Sequence, residues 1–231
     1  MMIDEAEWPG IAQDFFDRDA LVVAKNLIGC VLRVRHPVGW LAARIIETEA
    51  YLQKERGSHA SLGRSPSREA LFMEPGTIYM YYARGGDSLN FSVRGQGNAV
   101  LIKSAFAWPR ACTVDNAIGH MQKMNPINGT RRLRDPGRLC SGQTLLCRSL
   151  GLRVPDWNGR RLDPDYFYVA EAPQRPGSLI QTSRLGIPAG RDEHLPYRFI
   201  DNEYVRACTR NPITRRDAVE GHDYWRVENS S

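Results

Sequence analysis

"CVLRVRHPVGWLAARIIETEAY", residues 30–51, joins a short alternating run to a longer one through a proline-containing break, and the longer run ends on two glutamates and a tyrosine. Cys30 to Arg35 has the two-residue period of a strand, HPVG reads as a turn, and Trp40 to Tyr51 reads as the returning strand. The segment therefore predicts an antiparallel hairpin. In a regular strand Ile45, Glu47, Glu49 and Tyr51 share one face and Ile46 and Thr48 the other, an arrangement that a bulge would change. Two acids stand where a half-buried strand should carry apolar side chains. They form either a solvent-facing acidic edge or the lip of a cleft, and the polar loop that follows, with His59 in it, suggests the lip. An ionised glutamate that holds and polarises a water is the minimal general base for hydrolysis, provided that its pKa stays below the working pH.

Outward from the hairpin the pattern is mixed. Asp19 reads as a helix N-cap and Gly29 as its stop, with Leu21, Ala24, Leu27 and Ile28 on one face between them. Downstream, TIYMYY (77–82), SLNFS (88–92) and NAVLIKSA (98–105) are predicted strands separated by the glycine-rich breaks ARGGD and RGQG. Helices are expected near 113–124 and 142–150, and late strands at YFYVAEA, LIQTS and YRFID. Strands that arrive in runs argue against a doubly wound parallel sheet. They predict an α+β fold, a curled and mostly antiparallel sheet with helices packed around it. At 231 residues the chain is read as a single domain, 1–231, whose last stretch, RDAVEGHDYWRVENSS, is expected to be a peripheral helix or tail.

Hydrophobic residues make up 42% of the chain, enough for a substantial core. No run approaches the roughly 18 apolar residues of a membrane helix, and the acidic start MMIDEAEWPG is unlike a basic secretory leader. A cytoplasmic protein, or a nuclear one in a eukaryote, is expected, without a membrane partner. Cys30, Cys112, Cys140, Cys147 and Cys208 lack the close spacing of a zinc knuckle or redox pair and read as reduced packing thiols; no metal and no cofactor is implied. The net charge of +5 is concentrated: residues 129–161 hold eight arginines against two aspartates. Such a segment is either a solvated face or a site for a polyanion, of which phosphate backbone is the usual one.

IIETEAYL, SHA, PGTIYMYY, the LN of residues 89–90, GNAVLI, RLCSG and SRLGI run in the order found in the alkyladenine (3-methyladenine) DNA glycosylases, which the chain resembles over residues 12–205. The resemblance implies a monomeric base-excision repair enzyme, associated with the nucleoid in a bacterium, whose partner is DNA containing a damaged base. Such an enzyme swings the damaged nucleotide into a pocket because the base cannot be reached inside the duplex. Matched position by position, Glu49 would activate the attacking water with Lys103 beside it, Tyr51 and His59 would sandwich the flipped base, Tyr79 and Tyr81 would line the pocket, and Asn90 would discriminate purines. The absence of a lysine or N-terminal proline at a nucleophile position predicts a monofunctional enzyme that leaves an abasic site. A purine alkylated on ring nitrogen is cationic, so aromatic faces favour it and it departs readily, whereas neutral hypoxanthine leaves less easily.

Four departures from the family pattern stand out. Arg84 precedes Gly85 where an aromatic wedge is usual, in a loop one residue shorter, so the wedge is expected to be Arg84 or, alternatively, Tyr82. Lys103 occupies the place of an arginine, and an ammonium on a flexible stem is not equivalent to a planar fork of donors. In CSGQTLL, Gln143 replaces a proline and Leu145 a basic residue; Arg131, Arg132, Arg134 and Arg138 are expected to supply the DNA phosphate contacts instead. RSPSREALF lacks the usual arginine-asparagine pair. Altered lesion or strand preference, and a damage-binding protein with weak catalysis, are therefore the alternatives within this reading, and a sugar hydrolase using Glu47 and Glu49 as an acid-base pair is the alternative outside it.

Overall fold

β1 (Val31–His36) and β2 (Gly39–Tyr51) form the expected hairpin, closed by the pair His36 and Gly39 in the computed structural model, which describes residues 8–83, 85–171 and 174–228. Gly39 has φ +128°, and a Cβ there would meet Thr113 Oγ1 at 2.6 Å. That hydroxyl accepts a hydrogen bond from Trp40 N at 2.8 Å, so the turn is closed by a side chain from a distant segment.

The remaining strands are β3 (Ile78–Ala83), β4 (Gly86–Ser92), β5 (Ala99–Ala107), β6 (Phe167–Ala170), β7 (Ser178–Thr182), β8 (Arg198–Asp201) and β9 (Tyr224–Glu228). They form one sheet in the order β3-β4-β5-β2-β8-β7-β9, every pair antiparallel, with β1 and β6 branching off β2. Four α-helices are described: α1 (Ala20–Leu27), α2 (Ala117–Met124), α3 (Gln143–Leu150) and the single turn α4 (Val154–Trp157). This is the α+β architecture expected from runs of strands. The expectation fails at the C-terminus, where the segment read as a helix or tail forms β9, an edge strand paired with β7. Tyr224, Arg226 and Glu228 are spaced two apart there, a pattern too short to outweigh the polar residues around it.

β2 is the organising element, and it is not half-buried. Residues 40–50 are all buried: α1 packs against the strand, and Ile46 is covered by Ile180, Ile200, Cys208 and Tyr224, from β7, β8, β9 and the segment after β8. Asp19 caps α1 by accepting from Leu21 N at 2.8 Å, and the helix buries Ala20, Val23, Ala24 and Leu27; Leu21, expected on that face, is only partly covered. Thr48 ties helix to strand by donating to Ala24 O at 2.8 Å. The register against β5 is irregular between Ile45 and Thr48, which sets Glu47 opposite Ser104. A local bulge of this kind re-aims side chains. Here it lets neighbouring residues of β5, Lys103 and Ser104, engage different glutamates.

Candidate active site

The acidic pair is no solvent-facing edge: Glu47 and Glu49 are both fully buried. Glu47 is saturated. It accepts from Ser104 Oγ (2.5 Å), Arg198 Nε (2.7 Å), Thr209 N (3.0 Å) and Thr209 Oγ1 (2.6 Å). Four donors on two oxygens leave it no approach to a glycosidic bond, which overturns the acid-base pair of a sugar hydrolase. Glu47 is an internal anchor joining β2, β5, β8 and the segment after β8.

Glu49 has a different environment. Its Oε2 accepts from Tyr51 OH at 2.7 Å, while Oε1 lies 3.3 Å from Lys103 Nζ and 3.3 Å from Leu185 N. Burial pushes its carboxyl pKa up, but Lys103, Arg198 and the two hydrogen bonds together outweigh burial and hold it below its ordinary value. It is therefore an ionised carboxylate at neutral pH. Tyr51, Lys103 and Leu185, its three partners, all belong to the wall of a cavity of about 580 Å³, within the range of small-ligand pockets.

The rings of Tyr51, His59, Tyr79 and Tyr81 stand in that wall. Residues 79, 81 and 83 alternate toward the cavity along β3, while Met80 packs into the core and Tyr82 points to solvent. Tyr79 and Tyr81 stack at 5.4 Å between centroids, and His59 meets Tyr81 edge-on at 4.4 Å, with its Nδ1 3.2 Å from Tyr79 OH. Burial lowers the pKa of His59, and the nearby Arg68 lowers it further, so the imidazole is neutral at neutral pH. A neutral ring imposes no charge repulsion on a cationic guest. Tyr51 lines the same cavity from β2, with the Arg184 guanidinium 4.5 Å from its ring centroid. Arg184 is buried, donates to Ala50 O at 2.8 Å and pairs with Glu55 at 2.5 Å. Asn90, on β4, donates its amide to Tyr79 O at 3.0 Å and completes this side of the cavity.

Of the residues named from sequence, Lys103, Tyr51, His59, Tyr79, Tyr81 and Asn90 line one cavity, and Glu49 lies buried behind its wall, bonded to Tyr51, Lys103 and Leu185. Among the described residues, those expected from sequence to contact DNA do not line it. Tyr82 is exposed at the β3–β4 hairpin, its hydroxyl donating to Gly85 O at 3.2 Å; Arg84 lies outside the described residues. Arg131 and Arg132 are exposed, whereas Arg134 donates to the carbonyls of Asn125 and Pro126 and Arg138 to those of Arg206 and Cys208. Sequence reasoning missed Arg184, Arg198 and Thr209. A charged residue in SRLGI and another in the apolar YRFID were signals of the same kind as the buried acids.

All five cysteines are buried and free, and among the described residues no group of three His, Cys, Asp or Glu could hold a metal ion. Nor is any described helix long and apolar enough to cross a membrane.

Residues 14–204 match the profile of the methylpurine-DNA glycosylase family. A protein of Pseudomonas syringae pv. tomato is 60% identical over 219 residues, which cover 94% of this chain and 96% of its own. One of Pseudomonas aeruginosa is 56% identical over 220 residues (94% and 91%), and one of Rhodopirellula baltica 30% identical over 230 residues (94% and 92%). All three bear the provisional name 3-methyladenine DNA glycosylase. With the match spanning β2, the cavity wall and the Glu49 environment together, this chain belongs to the methylpurine-DNA glycosylase family.

Proposed function

We propose that this protein is a monofunctional DNA glycosylase that flips an alkylated or deaminated purine, of the 3-methyladenine or hypoxanthine type, into the ring-walled cavity and removes it by hydrolysis. The observation that carries the reading is the buried, ionised Glu49 carboxylate bonded to three residues of that cavity's wall. The water oxygen attacks C1′ of the deoxyribose, the electrons of the N-glycosidic bond leave with the purine, and Glu49 takes a proton from the water. Lys103 neutralises the carboxylate and offers a donor to the attacking oxygen. A methylated purine leaves as a neutral base because its positive charge is discharged as the bond breaks; hypoxanthine departs with negative charge and depends more on the enzyme. Tyr51 on one side and His59 on the other sandwich the flipped base, and a cation between aromatic faces gains about 0.5 to 2 kcal/mol over a neutral guest.

The test is a duplex oligonucleotide bearing one hypoxanthine, and methylated DNA bearing 3-methyladenine. Each is expected to lose the base and become alkali-labile at that position, with no covalent protein–DNA adduct trapped by borohydride. Failure to release either base defeats the reading, and a trapped adduct defeats its monofunctional form.

Outside the cavity, Arg131 and Arg132 carry the electrostatics of the proposed DNA face, and Tyr82 or Arg84 fills the gap that the flipped nucleotide leaves. Each phosphate neutralised contributes about −0.9 to the slope of log affinity against log salt on duplex DNA. Replacing Arg131 and Arg132 by alanine is expected to flatten that slope by about 2 in a titration of fluorescent duplex. An unchanged slope returns the pair to a solvated surface.

A further inference from the structure

Resting on the glycosylase reading, we propose that Gln143 is a specificity-determining residue whose amide hydrogen-bonds the flipped base and governs how well a neutral, deaminated purine is released relative to a cationic, methylated one. Gln143 opens α3 and stands half-buried in the cavity wall. Gly142, at φ +102°, lets the chain turn sharply into that helix, and its N–H donates to Ser104 Oγ at 3.0 Å, which fixes the start of α3 to the Glu47 network. Gln143 Nε2 donates to Ser88 Oγ at 2.8 Å. Ser88 is fully buried on β4, two residues before Asn90, so the anchor of the Gln143 amide and the residue that bears the other amide are about 6–7 Å apart along one strand.

Both amides are therefore held through one N–H each, Gln143 by Ser88 and Asn90 by Tyr79 O. Among the described residues neither side chain makes another hydrogen bond, so each keeps a carbonyl oxygen and a second N–H for a guest. A carboxamide presents N–H and C=O side by side, which complements the adjacent O6 acceptor and N1–H donor of hypoxanthine. The neighbouring wall is apolar at Leu101 and Leu145, so a base edge meeting it without Gln143 loses a partner that water would otherwise supply.

The two lesion classes depend on this contact unequally. A methylated purine carries its own leaving-group activation, whereas a neutral purine relies on interactions that strengthen as charge develops on it during departure. Sites built to hydrogen-bond a polar group discriminate strongly when that bond is lost.

The measurement is single-turnover release of hypoxanthine from a single-lesion duplex and of 3-methyladenine from methylated duplex, by the full-length protein. In Gln143→Leu the ratio of the two rates, hypoxanthine over 3-methyladenine, is expected to fall about fivefold or more, and Ser88→Ala, which only frees the amide, shifts it the same way by less. A merely structural role lowers both rates together and leaves the ratio at its wild-type value, which overturns the inference. Should Gln143→Leu fail to fold, as read by thermal melting, the ratio in Ser88→Ala decides. If the wild-type protein releases neither base, the glycosylase reading falls and this inference with it; release of both with an unchanged ratio removes this inference alone.

Discussion

Glu49→Gln is expected to slow base release about 10²- to 10⁴-fold, the usual weight of a positioned general base, while duplex binding stays within about twofold of wild type. The amide matches the carboxylate in size. Its oxygen can remain beside Lys103 and Leu185 N, with its nitrogen donating to Tyr51 OH, so the wall keeps its shape. What disappears is a proton acceptor for the attacking water and the counter-charge of Lys103 at 3.3 Å. Single-turnover release of hypoxanthine and a binding titration on the same duplex separate the two effects, and a variant that keeps half the wild-type rate sinks the role. The pH profile carries the same assignment. Because Lys103, Arg198, Tyr51 and Leu185 together hold the Glu49 pKa below its ordinary value against the opposing effect of burial, the ionised form persists as pH falls through the usual carboxylate range. The Glu49-dependent acid limb of release therefore lies below that range, and it should be absent from the residual rate of Glu49→Gln.

That Glu49 could be named in advance, and Glu47 only half understood, follows from how each residue is held. Local patterns were sufficient for the β1–β2 hairpin, for the Asp19 cap of α1 and for the alternation that turns Tyr79 and Tyr81 the same way. Each of these depends on residues within a few positions of one another. Glu47 depends on Arg198 and Thr209, which are 151 and 162 residues away, and no periodicity near residue 47 carries that information. An acid in a strand therefore looked like a surface or a cleft lip, whereas the chain returns from its far end to bury it. The same limit hid Arg184, whose guanidinium packs on Tyr51 only after the segment following β7 crosses back. It also hid β9, whose strand character comes from the exposed edge of β7 rather than from its own composition. Much of the candidate site was legible because all of its motif residues but His59 sit on strands; the scaffold that holds their charges in place was not, being made of long-range pairs.

Arg198→Met is expected to be the most destabilising single change. Arg198 is almost wholly buried and gives Glu47 its charge partner at 2.7 Å; its Nη2 also donates to Thr209 Oγ1 at 3.0 Å and Arg210 O at 2.9 Å. Methionine keeps the length of the side chain but leaves the Glu47 carboxylate buried without its cation. Breaking such a pair by removing one partner costs about 3–5 kcal/mol. For a chain of this size that corresponds to a fall in melting temperature of about 6–20 °C, measurable by circular dichroism. Adding Glu47→Gln should recover part of the loss, since the penalty lies in the uncompensated charge rather than in the missing contact, and the two sites are close enough to couple. Arg198 is also one of the groups that keep the Glu49 pKa low. The same variant should therefore move the acid limb of base release upward in pH, at a temperature where the protein is still folded. A melting temperature within about 2 °C of wild type would remove Arg198 from the core of the stability argument, and a shifted melt without a shifted acid limb would separate the fold's need for this arginine from the active site's.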